Sequence, residues 1–267
     1  YGDILDRAWI QDLLAQVSPD EVYHLAAQSH VGYSFNHPLE TAQVTGLSTL
    51  ILLDSIRAVN KGVRFYQANT SEIFGNAPAP QSESTPLNPV SPYGTANAFG
   101  YHTVRVYRQS YGMFAVNGIL FNHESPRRGH QFVTRKIATA VAQIARREIS
   151  SIELGDLSAK RDWGWAPEYV VAMHKMLQLE SPVDLVIGTG TSHSVRDFCL
   201  QAFWEAGLDF EDHVTFSQAL WRPTEIKELR AAPSLAERLI SWAPQVTFDE
   251  VVARMVRHEM GNVPVLK

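Results

Sequence analysis

The stretch from Val63 to Glu72 constrains the fold more than any other part of this chain. Residues 63–68, VRFYQA, combine β-branched and aromatic side chains, a pattern that predicts a short buried strand. The polar run NTSE, residues 69–72, follows it directly. In open α/β sheets, ligands bind where the strands end. The stretch therefore predicts an α/β sheet with a ligand site at the carboxyl end of this strand.

A proline-marked loop, residues 86–92, leads from this strand into a long helical segment. Ser91 followed by Pro92 is typical of a helix N-cap with proline at the first helical position. Tyr93 then falls in the first turn, and Asn97, four residues later, lies on the same helix face. The helix is thus expected to present a phenol and an amide toward the strand end.

Thr70, Glu72 and Tyr93 form the candidate catalytic group, because they bring a hydroxyl, a carboxylate and a phenol to one place. Taken alone, Thr-Ser-Glu is more typical of a turn or helix cap, and a lone tyrosine beside proline is more typical of packing. Their order and context favour the catalytic interpretation.

Hydrophobic periodicity predicts the remaining elements. The predicted helices are residues 6–17 (with Asp6 as a cap), 39–59, 92–110, 132–147, 167–179, 194–206 and 248–260. The other predicted strands are residues 21–27, 113–120, 151–154 and 184–188.

Composition narrows the class of protein. A length of 267 residues with 45% hydrophobic and 19% charged residues is ordinary for a globular protein. The net charge of −5 argues against a general nucleic-acid binder. No apolar run reaches the length of about eighteen residues of a membrane span, the first residues lack the pattern of a secretory signal, and Cys199 is the only cysteine. We therefore expect a cytoplasmic protein with no membrane partner and a buried, inert thiol.

The chain resembles the extended branch of the short-chain dehydrogenase/reductases, and within it the GDP-mannose 4,6-dehydratases. The resemblance rests on blocks in family order that span most of the chain: LAAQSHV (25–31), TSE (70–72), NGILFNHESPRRG (117–129), KRDWG (160–164) and RPTE (222–225). It implies a doubly wound, Rossmann-type parallel sheet lacking its first strands, with a smaller C-terminal substrate-binding lobe. The implied division is a cofactor domain at 1–121, to which strand 184–188 returns, and a mainly nucleotide-sugar-binding lobe at 122–267.

The resemblance also implies a reaction and a cofactor. Carbon 4 of GDP-mannose is oxidised, water is eliminated across carbons 5 and 6, and the hydride is returned to carbon 6, so that NADP is recycled in each turnover. Tyr93 is implied as the base at the 4-hydroxyl, Thr70 as its hydrogen-bonding partner, and Glu72 as the base at carbon 5 and then the acid at the leaving hydroxyl. A serine at position 72 would instead favour an epimerase or reductase.

Binding residues are carried over from the matching blocks in the same way. The implied NADP contacts are Leu25, Ala26, Ala27, Gln28, Ser29, Asn97, His123 and Arg128. The implied GDP-mannose contacts are Asn122, Val133, Lys136, Arg161, Arg222 and Glu225. No metal site is predicted, since His24, His30 and His37 match no metal-ligand spacing.

Two departures from the family pattern carry expectations of their own. The lysine of Tyr-x-x-x-Lys is Asn97 here, and a lysine charge about 4 Å from the phenol contributes roughly 4 kcal/mol at an effective dielectric constant of 20. Free tyrosine has a pKa of about 10, so little phenolate forms at pH 7 without a nearby positive charge. Loss of the lysine charge is therefore expected to lower the amount of reactive phenolate by on the order of a thousandfold. Catalysis is therefore expected to be impaired.

The glycine-rich phosphate loop of the family is absent, which favours a partial reading frame lacking roughly 60 upstream residues at about 30 per β-α unit. Strand 21–27 would then be an exposed edge, so we expect a homo-oligomer that pairs another copy along it. Two alternative functions remain open: a non-catalytic remnant that binds GDP-sugars or pairs with a complete subunit, and another nucleotide-sugar dehydratase or epimerase.

Overall fold

A computed structural model describes residues 1–217 and 223–261 of the chain. Its centre is a four-stranded sheet in the order β1-β2-β3-β8, and each neighbouring pair is parallel. The carboxyl ends of all four strands therefore meet at one edge of the sheet. The predicted Rossmann-type fold class is confirmed.

The strands are short. In chain order they are β1 Glu21–His24, β2 Arg64–Thr70, β3 Ala115–Leu120, β4 Asn122–Glu124, β5 Ile152–Leu154, β6 Lys160–Arg161, β7 Trp163–Trp165, β8 Leu185–Ile187, β9 His193–Ser194, β10 Val214–Phe216 and β11 Glu228–Leu229.

The helices are longer and fill the connections between the strands. They are α1 Arg7–Val17, α2 Val31–Asn36, α3 Pro38–Thr41, α4 Ser48–Val59, α5 Pro92–Tyr111, α6 Val133–Ala145, α7 Ala166–Leu177, α8 Val195–Glu205, α9 Ser234–Ile240 and α10 Phe248–Glu259. A π-helical segment, Ala42–Leu47, joins α3 to α4, and a 3₁₀ helix, Ser71–Phe74, follows β2.

Alternate residues of the central strands face opposite helix layers. Phe65 of β2 packs in a cluster with residues of α1, α4 and α5, whereas the next residue, Tyr66, packs with residues of α7 and α9. Ala115 and Val116 of β3 divide in the same way. The sheet is thus buried on both faces, which explains why its strands are almost continuously apolar.

Capping residues set the start of the helices as the sequence predicts. Asp6 accepts a hydrogen bond from the backbone N–H of Trp9 at 3.0 Å, and Ser91 accepts one from that of Gly94, also at 3.0 Å. Pro92 is the first residue of α5, and Gly112 ends it in the left-handed region at φ 68°. The predicted caps are confirmed.

The predicted helix 39–59 is interrupted rather than regular. Residues 42–47 are π-helical, and this segment packs against α5. A Cβ on Gly46 would lie 3.1 Å from the carbonyl oxygen of Ala96, so the two backbones approach closely there. Hydrophobic spacing alone does not distinguish a π segment from α-helix, which is why the sequence missed it.

The first strand is shorter than predicted. β1 ends at His24, after four residues paired with β2, so the predicted strand at 21–27 is wrong for residues 25–27. The backbone N–H of Gln28 donates to Thr45 Oγ1 at 3.1 Å, which turns the chain toward the π segment. β1 lies at one end of the sheet order.

Residues beyond β3 form a second apolar cluster. Helices α6, α8 and α10 pack on one another, with Trp163, Phe198 and Val252 buried between them. Three small sheets lie in this part of the chain, pairing β5 with β10, β4 with β7, and β6 with β9 and β11. Cys199 is buried here, and burial raises the pKa of its thiol to about 12, as expected for an inert cysteine.

Asp162, between β6 and β7, joins this region to the central sheet. Its buried carboxylate accepts hydrogen bonds from the backbone N–H groups of Thr189, Gly190 and Ala231 and from the Thr189 hydroxyl, at 2.7–3.0 Å. Within residues 1–217 and 223–261, the helices are too short or too polar to cross a bilayer.

Candidate active site

The candidate site lies at the carboxyl end of β2, where α5 begins. Thr70 is the last residue of β2, Glu72 lies in the 3₁₀ helix that follows, and Tyr93 is the second residue of α5. A Cβ on Gly94 would lie only 2.9 Å from the carbonyl oxygen of Glu72, so the absence of a side chain there lets the two segments touch. The structure therefore brings all three predicted catalytic residues together.

The phenol of Tyr93 is the centre of this group. Burial raises the pKa of the Tyr93 phenol above its usual value, and the negative charge of Glu72 raises it further. Hydrogen bonds with the side chains of Thr70 and Asn97 and the positive charge of Arg128 lower it. Thr70 Oγ1 also accepts the backbone N–H of Glu72 at 3.3 Å, which ties the carboxylate's backbone to the same hydroxyl.

Asn97 is buried on the face of α5 predicted from its spacing. Its side-chain amide donates to the carbonyl oxygen of Tyr93 at 2.9 Å, one turn back along the helix. Asn97 therefore interacts with Tyr93 as an uncharged hydrogen-bond donor. Asparagine carries no charge, so it does not supply the field that a lysine ammonium would.

Arg128 provides a positive charge near Tyr93 from outside the helix. Its Nε lies 3.3 Å from a carboxylate oxygen of Glu124, and its guanidinium carbon lies 3.7 Å from the ring centre of Phe132. Glu124 is 1% exposed and accepts a hydrogen bond from Thr134 at 2.7 Å. Burial raises the pKa of the Glu124 carboxyl, and the charge of Arg128 lowers it.

His123 is held in one tautomer beside this pair. Its Nδ1 lies 2.9 Å from the carbonyl oxygen of Phe121, and because a carbonyl only accepts, Nδ1 carries the proton. The ring stacks on Tyr169 at 4.8 Å between centroids. Burial lowers the pKa of His123 to about 4, so the ring is neutral at pH 7 with Nε2 as an acceptor.

The loop after β1 contains the other predicted cofactor residues. Leu25, Ala26, Ala27 and Ser29 are exposed, and Gln28 is fixed by a hydrogen bond from its amide to the carbonyl of His30 at 3.1 Å. The ring of His30 meets that of Phe132 edge-on at 5.8 Å, and Phe132 also supports Arg128. The loop and Arg128 thus share an aromatic contact.

The predicted substrate residues are largely engaged by other protein groups. Arg161 is 7% exposed, and it donates to Glu225 Oε1 at 2.6 Å and to the carbonyl of Ile226 at 2.8 Å. Lys136, in α6, donates to the carbonyl of Glu153 at 2.6 Å. The structure brings Arg161 and Glu225 together as an ion pair.

Two further predicted contacts are partly buried, and one cannot be placed. Asn122 lies in β4, where its carbonyl accepts a hydrogen bond from Tyr169 at 3.4 Å, and Val133 is the first residue of α6. Arg222 lies outside the described residues.

Sequence reasoning missed two residues that position Tyr93. The hydroxyl of Ser34, in α2, accepts the backbone N–H of Tyr93 at 3.2 Å and donates to the carbonyl of Val31 at 2.7 Å. Asn69, next to Thr70, bonds the carbonyl of Asn97 at 3.2 Å. The only signal for Asn69 was its place in the polar run directly after the predicted strand, and α2 itself was not predicted.

The parallel sheet and the Thr70–Tyr93 arrangement define the chain as an extended short-chain dehydrogenase/reductase. Solved structures with the same fold include RMD from Pseudomonas aeruginosa complexed with NADPH, at a TM-score of 0.89 and 20% identity over 98% of this chain and 88% of that one. A dTDP-glucose 4,6-dehydratase from Streptomyces venezuelae with NAD and TYD bound has a TM-score of 0.84 and 22% identity over 96% of this chain and 77% of that one.

Sequence comparison places the chain more narrowly, and it belongs to the GDP-mannose 4,6-dehydratase family. The family's sequence model matches residues 1–255. The GDP-mannose 4,6 dehydratase 2 of Caenorhabditis elegans is 48% identical over 98% of this chain and 73% of its own length. The resemblance seen in the motifs is confirmed.

Proposed function

We propose that this chain is a hydro-lyase that converts GDP-mannose to GDP-4-keto-6-deoxymannose. Family membership supports this activity, and the observation that carries it is the carboxylate of Glu72 beside the Thr70–Tyr93 pair. A carboxylate at that position supplies the acid and base that water elimination needs. An oxidation or epimerisation alone would not need it.

The cofactor we propose is NADP, held by residues 25–29, Asn97, His123 and Arg128. These residues fit a nicotinamide nucleotide because the loop at the carboxyl end of β1 is exposed, Arg128 acts on the Tyr93 phenol, and the neutral His123 lies within the field of Arg128. When bound, the nicotinamide would supply hydride transfer from carbon 4 to carbon 6 of the sugar. Solved structures with the same fold hold NADPH in the Pseudomonas aeruginosa protein and NAD in the Streptomyces venezuelae dehydratase, which supports a nicotinamide cofactor; the choice of NADP is our proposal.

The proton steps fall to three side chains. Tyr93 takes the proton of the 4-hydroxyl, and Thr70 donates a hydrogen bond to the same sugar oxygen. The resulting 4-ketone acidifies the proton on carbon 5, which Glu72 removes. Glu72 then delivers that proton to the hydroxyl leaving carbon 6, so one water is lost and the carboxylate is regenerated. When hydride returns to carbon 6, the proton held by Tyr93 passes to carbon 5, which completes the 4-keto-6-deoxy sugar and restores the phenolate.

Asn97 makes the first of these steps the weak one. The Tyr93 phenol must lose its proton, and burial together with the charge of Glu72 opposes this. Arg128 is the cation that favours the phenolate, in place of a lysine on the same helix. We therefore propose an enzyme that is slower than one with lysine at position 97.

The nucleotide end of the substrate is proposed to bind at Asn122, Val133, Lys136, Arg161, Arg222 and Glu225. Guanidinium and ammonium groups suit a diphosphate, and the pair of the buried Arg161 with the partly exposed Glu225 holds one guanidinium in a fixed orientation.

We also propose a homo-oligomer in the cytoplasm. Phe99 and Val106, seven residues apart on α5, are exposed, as is Leu47 of the π segment that packs against α5. Such an apolar surface favours association between copies. The single, buried Cys199 suits a reducing compartment.

The test is incubation of the chain with GDP-mannose and NADP, with the 4-keto-6-deoxy product measured by mass spectrometry. We expect loss of 18 Da from the sugar, no net NADPH and no product from a Tyr93→Phe variant. Binding of GDP-mannose without product would favour the non-catalytic alternative. Faster turnover of UDP- or dTDP-sugars would favour another nucleotide-sugar enzyme.

A further inference from the structure

Asn69 connects the two elements that carry the catalytic hydroxyl and phenol. It is 3% exposed and precedes Thr70 at the end of β2. Its side-chain oxygen accepts the backbone N–H of Thr70 at 2.9 Å, while its amide nitrogen donates to the carbonyl of Asn97 at 3.2 Å and lies 3.4 Å from Asn117 Oδ1. One side chain therefore bonds both β2 and α5.

The end of this bridge on α5 lies one turn from Tyr93. Asn97 accepts from Asn69 through its backbone and donates through its own side chain to the carbonyl of Tyr93 at 2.9 Å. The sequence of hydrogen bonds thus starts at the backbone of Thr70 and ends at the backbone of Tyr93. Those two residues carry the hydroxyl and the phenol that hydrogen-bond each other.

The bridge is itself anchored by further buried polar groups. The amide of Asn117, on β3, donates to the carbonyl of Tyr101 at 3.3 Å and to Asp184 Oδ1 at 3.2 Å. Asp184 forms two hydrogen bonds with the guanidinium of Arg108, at 2.9 and 2.8 Å. Tyr101 and Arg108 both lie on α5, so the helix is bonded to the sheet at three levels.

Directional bonds matter here because apolar packing alone tolerates small shifts of a helix along a sheet. One residue of helix corresponds to a rise of about 1.5 Å, and a misplacement of about 1 Å can cost a hundredfold in rate. Buried, satisfied hydrogen bonds define one arrangement, since breaking them leaves desolvated groups unpaired.

We propose that Asn69 is a positioning residue that sets the separation of the Thr70 hydroxyl and the Tyr93 phenol by bonding β2 and α5 at once. Its kinetic consequence rests on the proposed dehydratase activity, whereas its effect on the phenol does not. In this proposal the buried amide of Asn69 fixes α5, which carries Tyr93, to β2, which carries Thr70, without contacting the substrate.

Gln67 offers a matched control on the same strand. It lies two residues before Asn69, on the same face of β2, and is 4% exposed. Its amide oxygen accepts the hydroxyl of Thr49 at 3.0 Å, and its nitrogen donates to the carbonyl of Ala68 at 3.2 Å. It therefore bonds β2 to α4 and has the burial of Asn69 without the bridge to α5.

The experiment compares the parent chain with Asn69→Leu, Asn69→Ala and Gln67→Leu. Leucine removes both hydrogen-bonding groups while keeping the same number and branching of side-chain heavy atoms, and alanine leaves room for a water on the freed Thr70 N–H. Each protein is labelled with 3-fluorotyrosine, and the ¹⁹F signal of residue 93, assigned with Tyr93→Phe, is followed against pH. Thermal melting measures stability in parallel.

We expect the Tyr93 signal of both Asn69 variants to titrate at higher pH than in the parent, because the Thr70 hydrogen bond that lowers its pKa is weakened. The neighbouring charges of Glu72 and Arg128 are unchanged in all four proteins. Gln67→Leu should melt at lower temperature with the titration unmoved. With GDP-mannose, the Asn69 variants should lose about tenfold in kcat with little change in KM.

An unmoved Tyr93 titration in either folded Asn69 variant would overturn the proposal, as would an equal shift in Gln67→Leu. Failure of both Asn69 variants to fold would also overturn it, since Asn69 would then be required by the fold as a whole. If the parent makes no product, the dehydratase activity fails while the ¹⁹F titration still decides the positioning role.

Discussion

The catalytic end of β2 and the Arg161–Glu225 region differ in what their polar groups bond. At the end of β2, the supporting bonds of Thr70 and Tyr93 run through backbone groups, which leaves their side chains directed at each other. The side chain of Arg161 instead donates its hydrogen bonds to Glu225 and to a backbone carbonyl. The comparison teaches that the polar side chains of the first region face one another, as the proposed proton transfer requires, whereas the guanidinium of Arg161 is already paired with a carboxylate, so an anion bound there would meet both charges.

The strongest test of the catalytic region is Glu72→Gln. Glutamine keeps the size of the side chain but neither takes nor gives a proton near pH 7, so we expect product formation to fall by about a thousandfold. The assay is conversion of GDP-mannose to the 4-keto-6-deoxy sugar. Glu83→Gln, outside the site, is the matched control, and retention of more than a tenth of the activity in Glu72→Gln would exclude Glu72 as the acid and base.

Asn97→Lys should sharpen the contrast by adding charge to the catalytic region. An ammonium near the Tyr93 phenol lowers its pKa, and we expect kcat/KM at pH 7 to rise by about a hundredfold. The measurement is initial rate against GDP-mannose concentration. Asn97→Gln, which adds length without charge, should give no gain, and a rate unimproved by lysine would show that the phenolate does not limit turnover.

Arg128 should affect the pH profile more than the maximal rate. Removing its charge in Arg128→Met raises the pKa of Tyr93, so the rise of kcat/KM with pH should move to higher pH, with about a tenfold loss at pH 7. Arg128→Lys keeps the charge and should retain the parent profile. The proposal of Arg128 as the compensating cation would be withdrawn if the methionine variant kept that profile.

The smallest expected effect on turnover belongs to the second region. Arg161→Met should raise KM for GDP-mannose severalfold while kcat changes little, and it should lower the melting temperature because the ion pair between Arg161 and Glu225 and the bond from Arg161 to the carbonyl of Ile226 are lost. Arg196→Met removes an exposed arginine paired with Glu211 and should change neither. A fall in kcat with unchanged KM would place Arg161 outside substrate binding.

The sequence predicted the parts of the site that depend on local structure. A strand leading into the polar run that contains Thr70, a cap at Ser91 and a tyrosine in the first turn of α5 follow from residue types and spacing. The structure has each of them, and the strand continues to Thr70 where the sequence predicts its end at residue 68. Asn69 escaped notice because its partners lie 28 and 48 residues away, so nothing near it in the chain indicates what it bonds.

Pairing across the second region was equally inaccessible to sequence reasoning. Arg161 and Glu225 are separated by 64 residues, and their motifs suggest binding without showing that the two side chains neutralise each other. The fold class was predictable because alternating strands and helices have few ways to bury both faces of a parallel sheet.

The carboxylate of Asp162 has a consequence for how the diphosphate and the hexose of a nucleotide sugar could be placed relative to each other. By gathering donors from the turn after β8 and from the residue after Arg230, it locks three distant segments into one rigid junction. Arg161 precedes Asp162 directly in the chain, so this junction also fixes the backbone of Arg161 relative to the sheet. A diphosphate bound to Arg161 would therefore place its hexose in one fixed position relative to the sheet.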